Sequence, residues 1–167
     1  GFHGALSNFK VDFDLLLELC SKNPHWHFFI IGDEREKQSN DQFSKIVALN
    51  NVTAPGFVDY EELPEYIACF DVAIMPFLLN DYTSGMFPMK YFEYVAARRR
   101  IVSTNLDFLA SVEHEVAIAK TADEFATCIE KALHEDPISN SHARKLVGQN
   151  TWDDRLDTML DKLELGK

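Results

Sequence analysis

The sequence predicts an α/β fold built on a Rossmann-like parallel sheet with helices on both faces. Three observations lead there. Short apolar runs alternate with amphipathic segments of helical length along the whole chain, which is the pattern of parallel βαβ units. The apolar runs are continuous, as at residues 72–77, where a strand with one wet face would alternate polar and apolar residues. The chain has 167 residues, 46% of them hydrophobic, which suits one domain, residues 1–167, with a sizeable core.

The elements follow in order. Asp12 is placed to cap a helix through about Ser21, with Phe13, Leu16, Leu17 and Cys20 on one face. Asn23-Pro24 stops it. Residues 26–31 read as a buried strand ending at Gly32-Asp33, and a polar loop spans 34–40. Phe43, Ile46, Val47 and Asn50 mark a second helix; residues 52–54 form a short strand, and Gly56 turns the chain. Asp59 and Glu62 have capping-box spacing and open a helix to about Cys69. Residues 71–76 form the next buried strand and 77–87 a loop. Pro88 suits the first position of a helix running to about Ala97. Residues 101–104 and, more weakly, 116–119 read as strands. Thr121 and Glu124 form a second capping box, for a helix to about His134, and the tail is helical at 141–149 and 152–163. Trp152 reads as an anchor for that tail.

Composition narrows the function classes. The formal net charge is −11 with acidic residues spread throughout, which argues against a nucleic-acid partner. No apolar run approaches the roughly 18–20 residues that cross a bilayer. The three cysteines, Cys20, Cys69 and Cys128, are far apart in apolar helical patterns. They lack metal-ligand or redox spacing and read as buried free thiols in a reducing compartment. His114 lies between Glu113 and Glu115 without a second ligand cluster, so no metal site is assigned. His25 and His27 sit at a strand start and read as structural.

In a doubly wound sheet, ligands bind at the carboxyl ends of the strands. The loops to inspect are therefore those at 32–33, 56–59, 77–87 and 105–111. The densest chemistry lies in residues 76–104. Thr83 and Ser84 offer hydroxyls, Gly85 a close backbone approach, and the helix after Pro88 the positive end of its dipole. Lys90, in the first turn, opposes that dipole unless an anion bridges the two. Glu93, three residues on, shares its face and suits a neutral diol such as a ribose 2′/3′ pair. The same pair equally fits a solvated salt bridge worth about 0.3 kcal/mol. His3 and Lys10, in the opening segment, read as surface residues with an anion contact as the alternative. Asp33 either lines the crevice or caps its loop.

The order of motifs resembles the C-terminal domain of GT-B glycosyltransferases of the group 1 type that build bacterial surface polysaccharides. Gly4-Ala5-Leu6 followed by Asp12, Asp14 and Leu15-Leu16 resembles the family's opening loop and helix. Asn51-Val52, Gly56-Phe57-Val58, Tyr60, Glu62-Leu63-Pro64 and Tyr66 resemble its N-V-x-x-x-G-x-V-x-Y-x-E-L-P-x-Y segment. The stretch from Asp71 to Phe77 resembles D-V-x-x-x-P-F. Asn80 and Thr83, then Pro88, Lys90, Glu93-Tyr94 and Ala96, resemble N-x-x-T…P-x-K-x-x-E-Y-x-A. Asn150-Thr151-Trp152 with Arg155 resembles the closing helix.

The resemblance implies a donor-binding domain for a nucleoside-diphosphate sugar. Lys90 and Glu93 would be its catalytic pair, Lys90, Thr83 and Ser84 would meet the diphosphate, and Glu93 the ribose. Phe57-Val58 would meet the base, and Asn80 the sugar or diphosphate. No metal or other cofactor is implied. The acceptor, a saccharide or lipid-linked, belongs to an N-terminal domain outside this chain, so these residues alone would bind nucleotide without turnover. A cytoplasmic enzyme, at the inner membrane face, fits that role.

Two departures stand out. Many retaining relatives carry a glutamate eight positions before the ribose-binding one; here Gly85 holds it. The family's A-x-G-x-P-V after the helix is replaced by Arg98-Arg99-Arg100. These arginines either cap the helix or meet a partner domain or an anionic membrane. The competing functions are a GT-B nucleotide-sugar epimerase, a degenerate GT-B scaffold, and a phosphoacceptor receiver. The receiver lacks its early acidic pair, and Asp71 begins its strand where a receiver needs an Asp at the end of one.

Overall fold

A computed structural model describes residues 1–34, 40–148 and 150–164. Nearly all of the polar loop expected at 34–40, and the side chains of Trp152 and Arg155, lie outside the described residues. The elements are β1 (Phe2–His3), α1 (Phe13–Lys22), β2 (Phe28–Ile31), α2 (Asp41–Val47), β3 (Val52–Gly56), α3 (Leu63–Ala68) and β4 (Val72–Met75). There follow α4 (Asp81–Ser84), α5 (Met89–Ala96), β5 (Arg100–Ser103), a 3₁₀ turn (Asp107–Ser111), β6 (Ala117–Ile118), α6 (Ala122–Leu133), α7 (Asn140–Val147) and α8 (Trp152–Glu164).

Every strand pairing is parallel, in two three-stranded sheets ordered β1-β2-β3 and β4-β5-β6. Gly1 joins them. Its amine donates to Val72 O at 2.7 Å, and Ile74 N–H donates to Gly1 O at 2.9 Å, the bond pair of a parallel ladder. The strands therefore run β3-β2-β1-β4-β5-β6, with the reversal of winding between β1 and β4. The ligand crevice of an open α/β sheet lies at such a reversal. All four residues of β4 are buried, so the sheet is covered on both faces there, as its unbroken apolar run requires.

Local chemistry explains most boundaries. Asp12 caps α1, its carboxylate accepting from Leu15 N–H at 2.9 Å. β2 begins two residues later than expected because Trp26 N–H is held by Asn23 O in a turn. β3 runs past Ala54 to Gly56: its register with β2 slips by one residue between Phe29 and Ile31, a bulge that accommodates Pro55 on an edge strand. Asp59 does not cap α3 with its side chain. Its carbonyl takes Glu62 and Leu63 N–H instead, so the helix starts later, at Leu63. Pro88 is the residue before α5 rather than its first. Thr121 Oγ1 accepts from Glu124 N–H, but Glu124 returns its carboxylate to Lys120 N–H, so the box closes one residue early. Of the cysteines only Cys20 is buried; Cys69 is exposed and Cys128 half-buried. Cys69 ends α3 on its outer side.

The arginine run is structural. Arg98 takes φ 63° just past Ala97, the residue that caps the end of α5, a left-handed conformation that normally favours glycine. Its N–H donates to Val95 O and that of Arg99 to Tyr94 O, both at 2.9 Å, completing a Schellman motif. The side chains then bind carbonyls nearby: Arg98 Nε to Ile138 O at 2.6 Å, Arg99 Nη1 to Phe70 O at 2.7 Å, and Arg100 Nε to Asp136 O at 2.9 Å. All three guanidinium groups are engaged within this domain, and Arg99 Nε also donates to Ala97 O at the end of α5, at 2.8 Å.

Candidate functional site

A cleft of about 320 Å³ opens at the carboxyl ends of β1, β2 and β3, facing the start of α5. His3 and Gly4 come from the end of β1, Gly32 and Asp33 from β2, and Phe57 and Val58 follow β3. Lys90 and Glu93 come from α5, and Tyr60 and Leu63 close one side. Phe57 and Tyr60 stand at the rim, 57% and 65% exposed.

The floor depends on two glycines. Gly4 and Gly32 have φ of +130° and +139°, regions that disfavour side chains. A Cβ on Gly32 would lie 1.9 Å from Gly4 O, and one on Gly4 would lie 2.0 Å from Lys90 Cε and 2.2 Å from Lys90 Nζ. The missing side chains let the two strand ends meet and let the end of Lys90 lie over backbone. Lys90 Nζ also sits 5.9 Å and 6.0 Å from the Phe2 and Phe77 ring centres. Pro88, the residue before α5, gives that helix end no side-chain cap. Lys90 and the positive end of α5 both border this cleft.

Glu93 lies one turn further along α5, its side chain 23% exposed, with Oε2 at 3.1 Å from His3 Nε2. His3 is a correction to the sequence reading: it is a strand residue, 5% exposed, and not part of a surface loop. Lys10 lies over the exposed Phe9 and Tyr82 rings, 5.5 Å and 5.3 Å from their centres, outside the cleft.

The remaining sequence candidates gather elsewhere. Asn80, Thr83 and Ser84 line a second depression of about 400 Å³ with Asn105, Leu106 and Asp107. The expected loop there holds α4, a single helical turn. Asn80 Oδ1 accepts from Thr83 N–H, and Thr83 Oγ1 accepts from Asn80 N–H, each at 3.0 Å. Thr83 Oγ1 also donates to Leu78 O at 2.6 Å, and the residue is 1% exposed. That hydroxyl accepts in the cap and gives its one proton to Leu78 O, leaving none for a phosphate. Asn80 Nδ2 donates to Phe9 O, tying this turn to the loop after β1. Ser84 is exposed with its hydroxyl on Asp81 O, and open space lies beside Gly85.

The acidic cluster around His114 is already engaged. Glu113 pairs with Lys145, Glu115 with Arg100 and with His142, and His114 Nδ1 accepts from Val116 N–H. Among the described residues no three His, Cys, Asp or Glu side chains gather as a metal site would need. His27 is structural as expected, its ring bonded to the Thr53 hydroxyl at 2.8 Å. Among the described residues no helix is long and apolar enough to cross a membrane.

Comparison with known proteins follows the same outline. The family model described as glycosyl transferases group 1 matches residues 1–135. TuaH of Bacillus subtilis (strain 168), a candidate teichuronic acid biosynthesis glycosyltransferase, is 29% identical over 158 residues, covering 91% of this chain and 39% of that protein. HepE of Anabaena, solved in complex with UDP-glucose, superimposes with a TM-score of 0.70 at 17% identity, covering 99% of this chain and 48% of that one. AviGT4, a glycosyltransferase involved in avilamycin A biosynthesis, gives 0.64 at 15% identity, over 99% of this chain and 52% of that one. At those identities the structural likeness carries the fold alone. The chain spans well under half of its curated relative and about half of each solved one.

Proposed function

The chain belongs to the glycosyl transferases group 1 family, and from that premise we propose that it binds the nucleoside-diphosphate sugar donor of a glycosyl transfer. The observation that carries the reading is the convergence of Lys90, the uncapped start of α5 and the bare Gly4 backbone at the reversal of sheet winding. The diphosphate lies over that cationic end, and the ribose diol meets Glu93. The base lies toward Phe57 and Val58. A UDP-sugar is the proposed donor, since the similarly folded HepE was solved with UDP and with UDP-glucose. The turn at Asn80, Ser84 and Gly85 approaches the donor from its sugar side through backbone and exposed groups, while Thr83 shapes that turn.

The chemistry follows from where charge develops. As the bond from the anomeric carbon to the diphosphate oxygen breaks, negative charge grows on the leaving diphosphate. Lys90 and the α5 dipole are fixed in place before it appears, so they stabilise the transition state without reorganising. Protein groups fill this role, and no obligatory metal ion is called on. The acceptor, a saccharide or lipid-linked one, and its activating base belong to a further domain.

Calorimetric titration with UDP, GDP and their sugar conjugates tests the proposal. UDP binding is expected, weakened in Lys90→Ala by roughly 1–3 kcal/mol, the range for a lost hydrogen bond to a charged group. A folded protein that binds none of these nucleotides refutes donor binding and favours a degenerate scaffold.

A further inference from the structure

We propose that His3 is the positioning residue of this cleft: its imidazole holds one oxygen of the Glu93 carboxylate so that the other faces the nucleotide's ribose diol. The inference rests on the proposed role of Glu93 as the diol acceptor. His3 closes β1, paired in register with Ile31. Its backbone N–H donates to the Tyr94 hydroxyl at 3.0 Å, and its ring stands edge-on to the Tyr94 ring with centres 5.0 Å apart. Tyr94 is itself buried, and burial raises its phenol well above the ordinary value, so it is a neutral, fixed post. A ring held this way has little freedom to turn.

Its free end is the informative part. His3 Nε2 is screened from water and has no aligned hydrogen-bond partner among the described residues, yet Glu93 Oε2 is only 3.1 Å away. A buried ring nitrogen without an aligned partner is costly. A small turn of the carboxylate supplies that partner. A carboxylate has about four lone-pair sites, so engaging Oε2 leaves Oε1 free for two hydroxyl protons. His3 and Glu93 stand on β1 and α5, on either side of the strand reversal. The contact therefore links the two halves of the sheet at the point where a nucleotide would cross.

The test is calorimetric titration of the full-length protein with UDP and with 2′-deoxy-UDP. The unmodified protein is expected to prefer UDP by about tenfold, the scale of one hydrogen bond to a charged group. Glu93→Ala should erase the preference. His3→Phe keeps the ring against Tyr94 but has no N–H to give, and should erase it too. His3→Gln, whose amide reaches the same carboxylate, should restore it. Lys90→Ala should weaken both nucleotides while keeping their ratio. If His3→Phe fails to fold, His3→Gln against His3→Asn makes the same comparison, because only the longer amide reaches. Preference kept in a folded His3→Phe, or kept equally in the Gln and Asn variants, while Glu93→Ala loses it overturns the His3 inference alone. Preference kept in Glu93→Ala, or absent from the unmodified protein, overturns the reading of Glu93. No UDP binding overturns the donor reading and this inference with it.

Discussion

Replacing Arg98 by alanine and by glycine should reverse the usual order of those two residues. In a helix interior glycine is about 0.5–1 kcal/mol worse than alanine. Arg98 lies at φ 63°, where a Cβ crowds the following carbonyl and costs roughly 1–2 kcal/mol. Its Nε also donates to Ile138 O at 2.6 Å, a bond from a charged group worth about 1.5–3 kcal/mol. Arg98→Ala keeps the strain and loses the bond, so it should destabilise by about 2 kcal/mol. Arg98→Gly loses the same bond but relieves the strain, and should cost only about 1 kcal/mol. Equilibrium urea unfolding of both variants, with slopes checked for equality, reads the difference directly. The Gly variant is expected to have the higher midpoint. If the Ala variant is as stable as the Gly variant, the left-handed strain is not present at Arg98. If neither variant is destabilised, the Ile138 bond contributes nothing.

Two further outcomes follow from the glycine floor and the thiols. Gly32→Ala should destabilise by about 3 kcal/mol or more: the new Cβ would meet Gly4 O at 1.9 Å, a backbone atom with nowhere to go, at a φ of +139°. A loss below about 1 kcal/mol by urea unfolding would mean the strand ends are not so closely held. In native protein at pH 8, a thiol-alkylating reagent should modify Cys69 readily and leave Cys20 untouched. Cys69 is exposed, whereas burial pushes the Cys20 thiol up to about 12, so almost no thiolate forms. Peptide mapping that finds Cys20 labelled before unfolding would contradict its place in the core.

Much of the fold was legible because it is written in local patterns. The continuous apolar runs of β2 and β4 and the Asp12 cap of α1 appear in the structure close to where the sequence puts them. What escaped is short or long-range. β1 has only two residues, too few for any periodicity, and is defined by pairing with Ile30 and Ile31. α4 is one turn, visible only through the reciprocal cap of Asn80 and Thr83. The bond that engages the Thr83 hydroxyl was equally hidden: a hydroxyl in a strand-end loop gives no sign in sequence that Leu78 O will take its proton. That Lys90 and Glu93 share one face was legible because helix spacing puts them there, and both line the cleft. The meeting of His3 with Glu93 was not legible, since it spans 90 positions and depends on the order of strands rather than on any local signal. The arginine run announced a missing glycine, but nothing in it named the carbonyls of Phe70, Asp136 and Ile138 as its partners.

The bare floor made by Gly4 and Gly32 has a consequence for how such a site can diverge. Where two main chains touch with no side chain between them, there is little a substitution can adjust: almost any change brings a clash or a forbidden backbone angle. That part of the cleft is held constant by geometry alone. Phe57 and Tyr60 at the rim are free of that restriction, standing well out in solvent. Drift in ligand preference would therefore collect at the rim, while the floor stays the same from one descendant to the next.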